Sequence, residues 1–288
     1  MFRWILAAAL CAGLPLADPA RAEPQPLRVG LTPVFLDDQV AFLKRWRVYL
    51  EERLERPVVL VQRASYREIN ELVRQAKLDI AWVCGLSYVQ NASRMTLLAV
   101  PLFNGKPLYQ SYIIVPASDR TTQSIVGLRG RIFAYSDPDS NSGHLYPQYA
   151  LIEHGQAPAS FFARSFFTWA HRKVIEAVAS ELAQGGAVDG YVWETLARRN
   201  PEIAARTRIV QKSPEFGHTP FVARASLATR EFAAVQAVLL GMSGDPEGAV
   251  LLEHLNLDGF VPGHRGLFDD IASMAKTVAN APAAATVR

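Results

Sequence analysis

Cysteine is nearly absent: 288 residues hold two, Cys11 and Cys84, too few for a zinc cluster or a disulfide framework. Basic blocks are missing as well. Nothing exceeds the group Lys44-Arg45-Trp46-Arg47 and the formal net charge is only +3, so the chain lacks the cationic footprint that nucleic acids demand. No apolar run approaches the roughly 20 residues of a membrane span. The patterns HExxH, GxSxG and GxxxxGK[ST] do not occur, and the six histidines (His144, His154, His171, His218, His254, His264) stand singly, which argues against zincin, hydrolase-elbow and P-loop chemistry. Gly and Pro, 18 of each, follow no period, which excludes collagen-like or linker-dominated architecture, and no repeat of solenoid length is present.

What remains is a globular composition, half hydrophobic and one fifth charged. Residues 1–22 read as a signal peptide: Arg3 supplies the charged start, Trp4 to Leu16 the apolar stretch, and Ala20-Arg21-Ala22 the small-x-small cleavage signature. The expected fate is export to a compartment that permits disulfides. Removing Arg3, Arg21 and Asp18 takes the net charge from +3 to +2, and Cys84 remains as a single thiol without an internal partner.

From Leu27 onward, short β-rich runs alternate with amphipathic helical runs, which predicts α/β layering with largely parallel strands. Strands are expected at 27–31, 58–62, 79–83, 97–103, 109–116, 131–135, 161–167, 188–192, 206–211 and 220–223. Helices are expected at 37–56, where Val40, Leu43, Trp46, Leu50 and Leu54 form one stripe behind Asp37 and Asp38, and at 66–77, 142–154 and 171–184. Residues 227–280 read as mostly helical. Because Tyr112 to Ala117 enters the second α/β unit as an apolar strand and not as a loose tether, the expected architecture has a discontinuous lobe: residues 27–115 plus 223–288 form one lobe, 116–222 the other, with two extended crossings as hinge.

Ligands of open α/β sheets bind beyond the carboxyl ends of strands, where helix N-termini offer N–H groups to anions. Four turns of that kind stand out. In Asp137-Pro138-Asp139-Ser140-Asn141-Ser142-Gly143, hydroxyls, an amide and backbone N–H groups converge on a helix start, suited to a small oxyanion; the same residues suit an ordinary N-cap. Cys84-Gly85-Leu86-Ser87-Tyr88 ends a buried strand; its thiol is either a small buried hydrophobe or, beside a helix N-terminus, a reactive group with a lowered pKa. His171 opens a helix and is placed to donate to an anion or simply to cap it. Asp189 in Val188-Asp189-Gly190 is a turn aspartate or an acceptor for a protonated ligand oxygen.

The ordered stretches LRVGLT (27–32), DIAWVCGLSYV (79–89), GRIFAYSDPDSNSGHLYP (130–147), HRKVIEAVA (171–179), Val188-Asp189-Gly190 and KSPEFGHTPFVAR (212–224) resemble the phosphate/phosphite/phosphonate branch of periplasmic substrate-binding proteins that serve ABC importers, with the two-lobed type II periplasmic binding protein fold. The resemblance implies a cleft between lobes in which Ser140, Asn141 and Ser142 hold the oxyanion, His171 and Asp189 complete the site from the second lobe, and Cys84, Gly85 and Tyr88 face it from the first. Two departures from the family pattern are Asn141, where phosphonate binders often carry Thr, and Ala170, where a serine often precedes the histidine. The implied function is capture of a phosphonate-, phosphite- or phosphate-class oxyanion by hinge closure, without covalent chemistry, cofactor, metal or nucleic acid, by a monomer that feeds an ABC permease. Two alternatives follow from Cys84: a sensor for a thiophilic oxyanion such as arsenite that signals to a membrane kinase, and a Cys84–His171 enzyme on the same scaffold.

Overall fold

In a computed structural model of the chain, the described residues are 25–33 and 40–281. The signal-peptide stretch at 1–22 and the acidic helix start at Asp37 and Asp38 lie outside them. The first lobe opens with β1 (Leu27–Leu31), α1 (Val40–Leu54), β2 (Val58–Gln62), α2 (Tyr66–Arg74), β3 (Ile80–Trp82), α3 (Gly85–Gln90) and β4 (Met95–Leu102). After β5 (Leu108–Tyr109) the second lobe runs through β6 (Ser111–Pro116), β7 (Ile132–Tyr135), a π-wound turn at Asn141–Leu145, α4 (Tyr146–Glu153), α5 (Pro158–Phe161), β8 (Arg164–Phe167), α6 (His171–Ala179), β9 (Gly185–Asp189), α7 (Gly190–Arg199), α8 (Pro201–Ala204) and β10 (Thr207–Lys212). The chain returns through β11 (Phe216–Gly217) to β12 (Phe221–Arg224), α9 (Thr229–Gly241), α10 (Pro246–Leu255), β13 (Gly259–Pro262) and α11 (Asp269–Asn280).

The first sheet has the order β13-β4-β12-β3-β1-β2 and the second β10-β6-β9-β7-β8. One lobe therefore takes strands from both ends of the chain and the other takes a single insert. The two crossings pair with each other as β5 and β11, antiparallel, with Tyr109 opposite Phe216 and Leu108 opposite Gly217. Both sheets are mixed, not largely parallel: β1 runs parallel to β2 and β3, and β7 to β8 and β9, whereas β12, β4 and β13 in one sheet and β6 and β10 in the other pair antiparallel.

The sequence-based boundaries at 115/116 and 222/223 fall inside strands. Ser111–Ile114 pair with β9 and Tyr112–Pro116 with β10, so β6 belongs wholly to the second sheet, and Phe221 and Val222 belong to the first. Other elements shift for identifiable reasons. The strand expected at 188–192 is β9, three residues earlier, and Gly190 already opens α7. Its two glycines are strand residues because neighbours press on them from the sheet faces: a Cβ on Gly185 would meet Leu128 at 2.4 Å and one on Gly186 would meet Val174 at 2.5 Å. Residues 158–161 form a helical turn at Pro158 instead of the start of a strand, α2 ends before Ala76 (φ 53°), and α6 ends before Glu181 (φ 61°). On α1 the buried face comprises Phe42, Leu43, Trp46, Tyr49 and Leu50, while Val40 is 77 % exposed.

Candidate functional site

Strand β7 delivers the chain into a turn fixed at both ends. The Asp137 carboxylate accepts from the backbone N–H of Asp139 (2.8 Å) and, across the lobes, from that of Tyr66 (3.1 Å). Ser140 is the N-cap: its Oγ accepts from Gly143 N–H at 3.0 Å. The first turn is π-wound, with Leu145 N–H donating to the Ser140 carbonyl at 3.0 Å, a widening that recurs at functional sites. The Ser142 carbonyl is held by the Ser111 hydroxyl at 2.6 Å. Gly143 has to be glycine, since a Cβ there would lie 1.9 Å from Ser136 Oγ and 3.0 Å from the His171 ring. Ser140, Asn141 and Ser142 are all buried.

His171 stands at the start of α6, and its Nδ1 accepts from the backbone N–H of Asp189 at 3.0 Å. The ring proton therefore sits on Nε2, which lies 3.5 Å from Ser140 Oγ. Burial lowers the imidazole pKa to about 3, so it is a neutral N–H donor. Asp189 ends β9 and caps α7, its Oδ1 accepting from Tyr191 N–H (2.9 Å) and Val192 N–H (3.4 Å). Burial nevertheless pushes its carboxyl up to about 7.

Cys84 reaches this turn from the first lobe, where its Sγ accepts from Asn141 N–H at 3.2 Å. Burial pushes its thiol up to about 12, the opposite of the lowered pKa expected beside a helix start, because desolvation outweighs what the N–H groups of a six-residue helix return. Nor do Cys84 and His171 form a nucleophile pair, since the two His171 nitrogens meet Asp189 N–H and Ser140 Oγ. Gly85 and Tyr88 face elsewhere. A Cβ on Gly85 would strike Ile271 at 2.7 Å and the Tyr88 ring packs on Phe268 with centroids 5.1 Å apart, so both seat α3 against the C-terminal segment.

Two phenols join the cluster that local sequence reasoning did not select. Tyr109, in the hinge strand β5, has its OH bonded by Asn141 Nδ2 at 2.9 Å, and Tyr66, first residue of α2, has its N–H on Asp137. Both phenol pKa values stand well above the ordinary range through burial, with further increments from Cys84 and Asp189, so both are neutral. Tyr66 had a readable signal: Ser65 and Glu68 form a capping box, with Ser65 Oγ accepting from Glu68 N–H at 3.3 Å and the Glu68 carboxylate accepting from Ser65 N–H at 3.1 Å. Tyr109 had none, since its position depends on the pairing of two distant crossings.

Ser140, Asn141, Ser142, His171, Asp189 and Cys84 are thus brought together with Tyr66 and Tyr109, at a helix N-terminus and with no Lys or Arg among the buried polar residues described. Asn141 Oδ1 and Ser136 Oγ are buried there without a hydrogen-bond partner. Neutral donors on fixed dipoles hold an anion without a counter-charge, and a carboxyl with a pKa near neutrality complements an oxygen that still carries its proton. Among the described residues no group of His, Cys, Asp and Glu forms a metal-binding set.

Comparison with known proteins agrees with this architecture. Residues 29–266 match the model of the family described as "ABC transporter, phosphonate, periplasmic substrate-binding protein". The chain is 24 % identical over 249 residues to the phosphonates-binding periplasmic protein of Escherichia coli, covering 83 % of this chain and 73 % of that one. Among solved structures, PhnD1 from Prochlorococcus marinus in complex with methylphosphonate superposes with a TM-score of 0.80 at 21 % identity, over 88 % of this chain and 98 % of that one. The binding-protein component of an ABC phosphonate transporter from Pseudomonas aeruginosa gives 0.81 at 19 %, over 89 % and 87 %. With a two-lobed type II fold, a polar cluster between its lobes and a family match spanning most of its length, the chain belongs to the phosphonate-type periplasmic substrate-binding proteins of ABC transporters.

Proposed function

We propose that this protein captures a small phosphorus oxyanion of the phosphonate, phosphite or phosphate class in the periplasm and presents it, as a monomer and without covalent chemistry, to an ABC permease. The observation that carries the reading is the π-wound helix start at Asn141–Leu145, faced by the neutral donor His171 and by the first-lobe residues Tyr66 and Cys84. In this reading the hydroxyls and N–H groups of Ser140–Ser142 take the anionic oxygens, His171 Nε2–H adds a donor, and Asp189 receives a ligand O–H, which favours a partly protonated phosphorus acid over fully ionised sulfate. Each lobe supplies half a site, so ligand stabilises the closed form by its differential affinity. The family membership and the names of the relatives support this class of ligand.

Isothermal calorimetry against phosphate, phosphite, methylphosphonate, sulfate and arsenite is expected to give one clear phosphorus-acid binder and no heat with sulfate; silence across the phosphorus acids contradicts the reading. One observation favours a second reading, the Cys84 thiol held against the turn. A neutral thiol condenses with arsenite, forming an S–As bond and releasing one water, and such a protein would signal to a membrane kinase. Strong heat with arsenite that disappears in Cys84→Ser, with no phosphorus-acid binding, supports that reading instead.

A further inference from the structure

The last turn of α10, in the first lobe, leaves carbonyls that its own helix and the residues that follow it do not satisfy. The Leu252 carbonyl accepts from Leu257 N–H (3.0 Å) and the Glu253 carbonyl from Asn256 N–H (3.0 Å), with Asn256 in the left-handed region (φ 57°) that ends the helix. The next two carbonyls are taken by the other lobe. Arg199 Nη2 donates to the His254 carbonyl and Tyr191 OH donates to the Leu255 carbonyl. Arg199 Nη1 also lies 3.1 Å from His254 Nε2, Arg198 donates to Asn256 Oδ1, and Asn256 Nδ2 donates to Thr195 Oγ1 at 3.0 Å. The donor residues Tyr191, Arg198 and Arg199 and the acceptor Thr195 share one face of α7, spaced by four, three and one residues.

The geometry points to a latch: Tyr191 and Arg199, which lie outside the oxyanion cluster, are positioning residues that hold the lobes closed by completing the C-terminal cap of α10. The bonds exist only while the lobes touch, and in the closed form Tyr191 and Leu255 are 1 % and 2 % exposed, so water does not substitute for the phenol. A guanidinium at a helix C-terminus also meets the negative end of the dipole. The latch is tied to the site because α7 is one rod: Asp189 caps its N-terminus inside the oxyanion cluster, and the latch face begins two residues later. Release of ligand requires breaking the latch, whereas entry into the open form does not.

This inference rests on the proposed reading of a receptor that closes on ligand. Its test uses wild type, Tyr191→Phe, Arg199→Ala, Arg199→Lys and the double variant Tyr191→Phe/Arg199→Ala, with methylphosphonate and inorganic phosphate as probes in stopped-flow fluorescence and small-angle scattering. The double variant is expected to release the bound probe roughly 30- to 1,000-fold faster, the sum of one neutral and one charge-assisted hydrogen bond, with the association rate constant within about twofold of wild type. Arg199→Lys recovers part of the loss, and the ligand-free variants keep the far-ultraviolet circular dichroism of wild type, which separates a latch from a folding defect. An unchanged release rate, or a loss carried by association, overturns the latch. Were neither probe to bind wild type, the ligand reading falls, and the latch is then judged by ligand-free scattering: the double variant must be more extended than wild type, and coincident profiles overturn it.

Discussion

His171 and Asp189 set each other's role through one backbone bond. Because Asp189 N–H occupies His171 Nδ1, the imidazole is locked as the Nε2–H tautomer, and burial holds it neutral down to about pH 3. Nitrogen-15 NMR of labelled histidine should therefore show an Nε2–H signal at neutral pH that does not titrate between pH 7 and 4; a midpoint near 6 contradicts the assignment. His171→Ala should weaken phosphorus-acid binding by about 10- to 100-fold, the worth of a desolvated donor, as read by calorimetry. Cys84, with its thiol pushed up to about 12, should resist alkylation at pH 8 in the ligand-saturated protein, measured by mass spectrometry, whereas rapid labelling there contradicts a closed, desolvated site. The turns that carry six of the eight candidate residues stand out locally, because polar side chains at strand-to-helix junctions carry a physical signal, but it was the family resemblance that implied their meeting in one cleft. Gly85 and Tyr88 were not, because adjacency to Cys84 says nothing about which side of a short helix faces the cleft.

At the scale of elements, the site depends on a helix start that cannot tolerate a side chain. Gly143→Ala puts a Cβ 1.9 Å from Ser136 Oγ and against His171, so we expect a loss of about 1–3 kcal/mol in chemical denaturation together with loss of binding; a variant as stable as wild type with intact affinity contradicts the packing described. Ser65→Ala removes the capping box that sets Tyr66 at the head of α2 and should cost about 1 kcal/mol in the same assay. Elements with a strong period or a clear stop were legible. Strand β2 after Pro57 has the expected bounds, and within the described residues α1 differs only in ending at Leu54 instead of Arg56. The failures share a cause, since β9 and β13 carry glycine or proline that reads as loop until the neighbouring strands and helices are in place. The π-winding at Asn141–Leu145 likewise has no sequence period of its own.

For the whole molecule, the buried titratable groups dictate how stability follows pH. His171 and His218 have pKa values lowered by burial to about 3, so between about pH 5.5 and 4 the unfolded chain binds about two protons that the native one refuses, falling to about one at pH 6.5. Asp189, raised to about 7, works the other way, since the native chain holds one proton there that the unfolded chain has lost. The difference is about one net proton on the unfolded side, so stability should rise with pH by about 1 kcal/mol per unit from 4 to about 6, then level towards 7 as the unfolded histidines and native Asp189 give up their protons together. Denaturant melts at pH 4.5, 5.5 and 6.5 read this directly; a flat or falling profile contradicts the burial assigned to the two histidines. The two-lobed plan was legible because apolar strands, not a linker, joined the α/β units, but the boundary was displaced into β6 and β12, since membership of a sheet is decided by pairing partners far away in sequence.

Closure on an oxyanion at residues 140–142 is tested most directly by a crystal structure of the protein grown with methylphosphonate. The phosphonate oxygens are expected within hydrogen-bonding distance of Ser140, Ser142 and His171 Nε2, with Asp189 on a protonated oxygen and the lobes in contact. A phosphonate seated outside the lobe interface, or a saturated protein whose Ser140–Ser142 turn touches no ligand, would contradict the account.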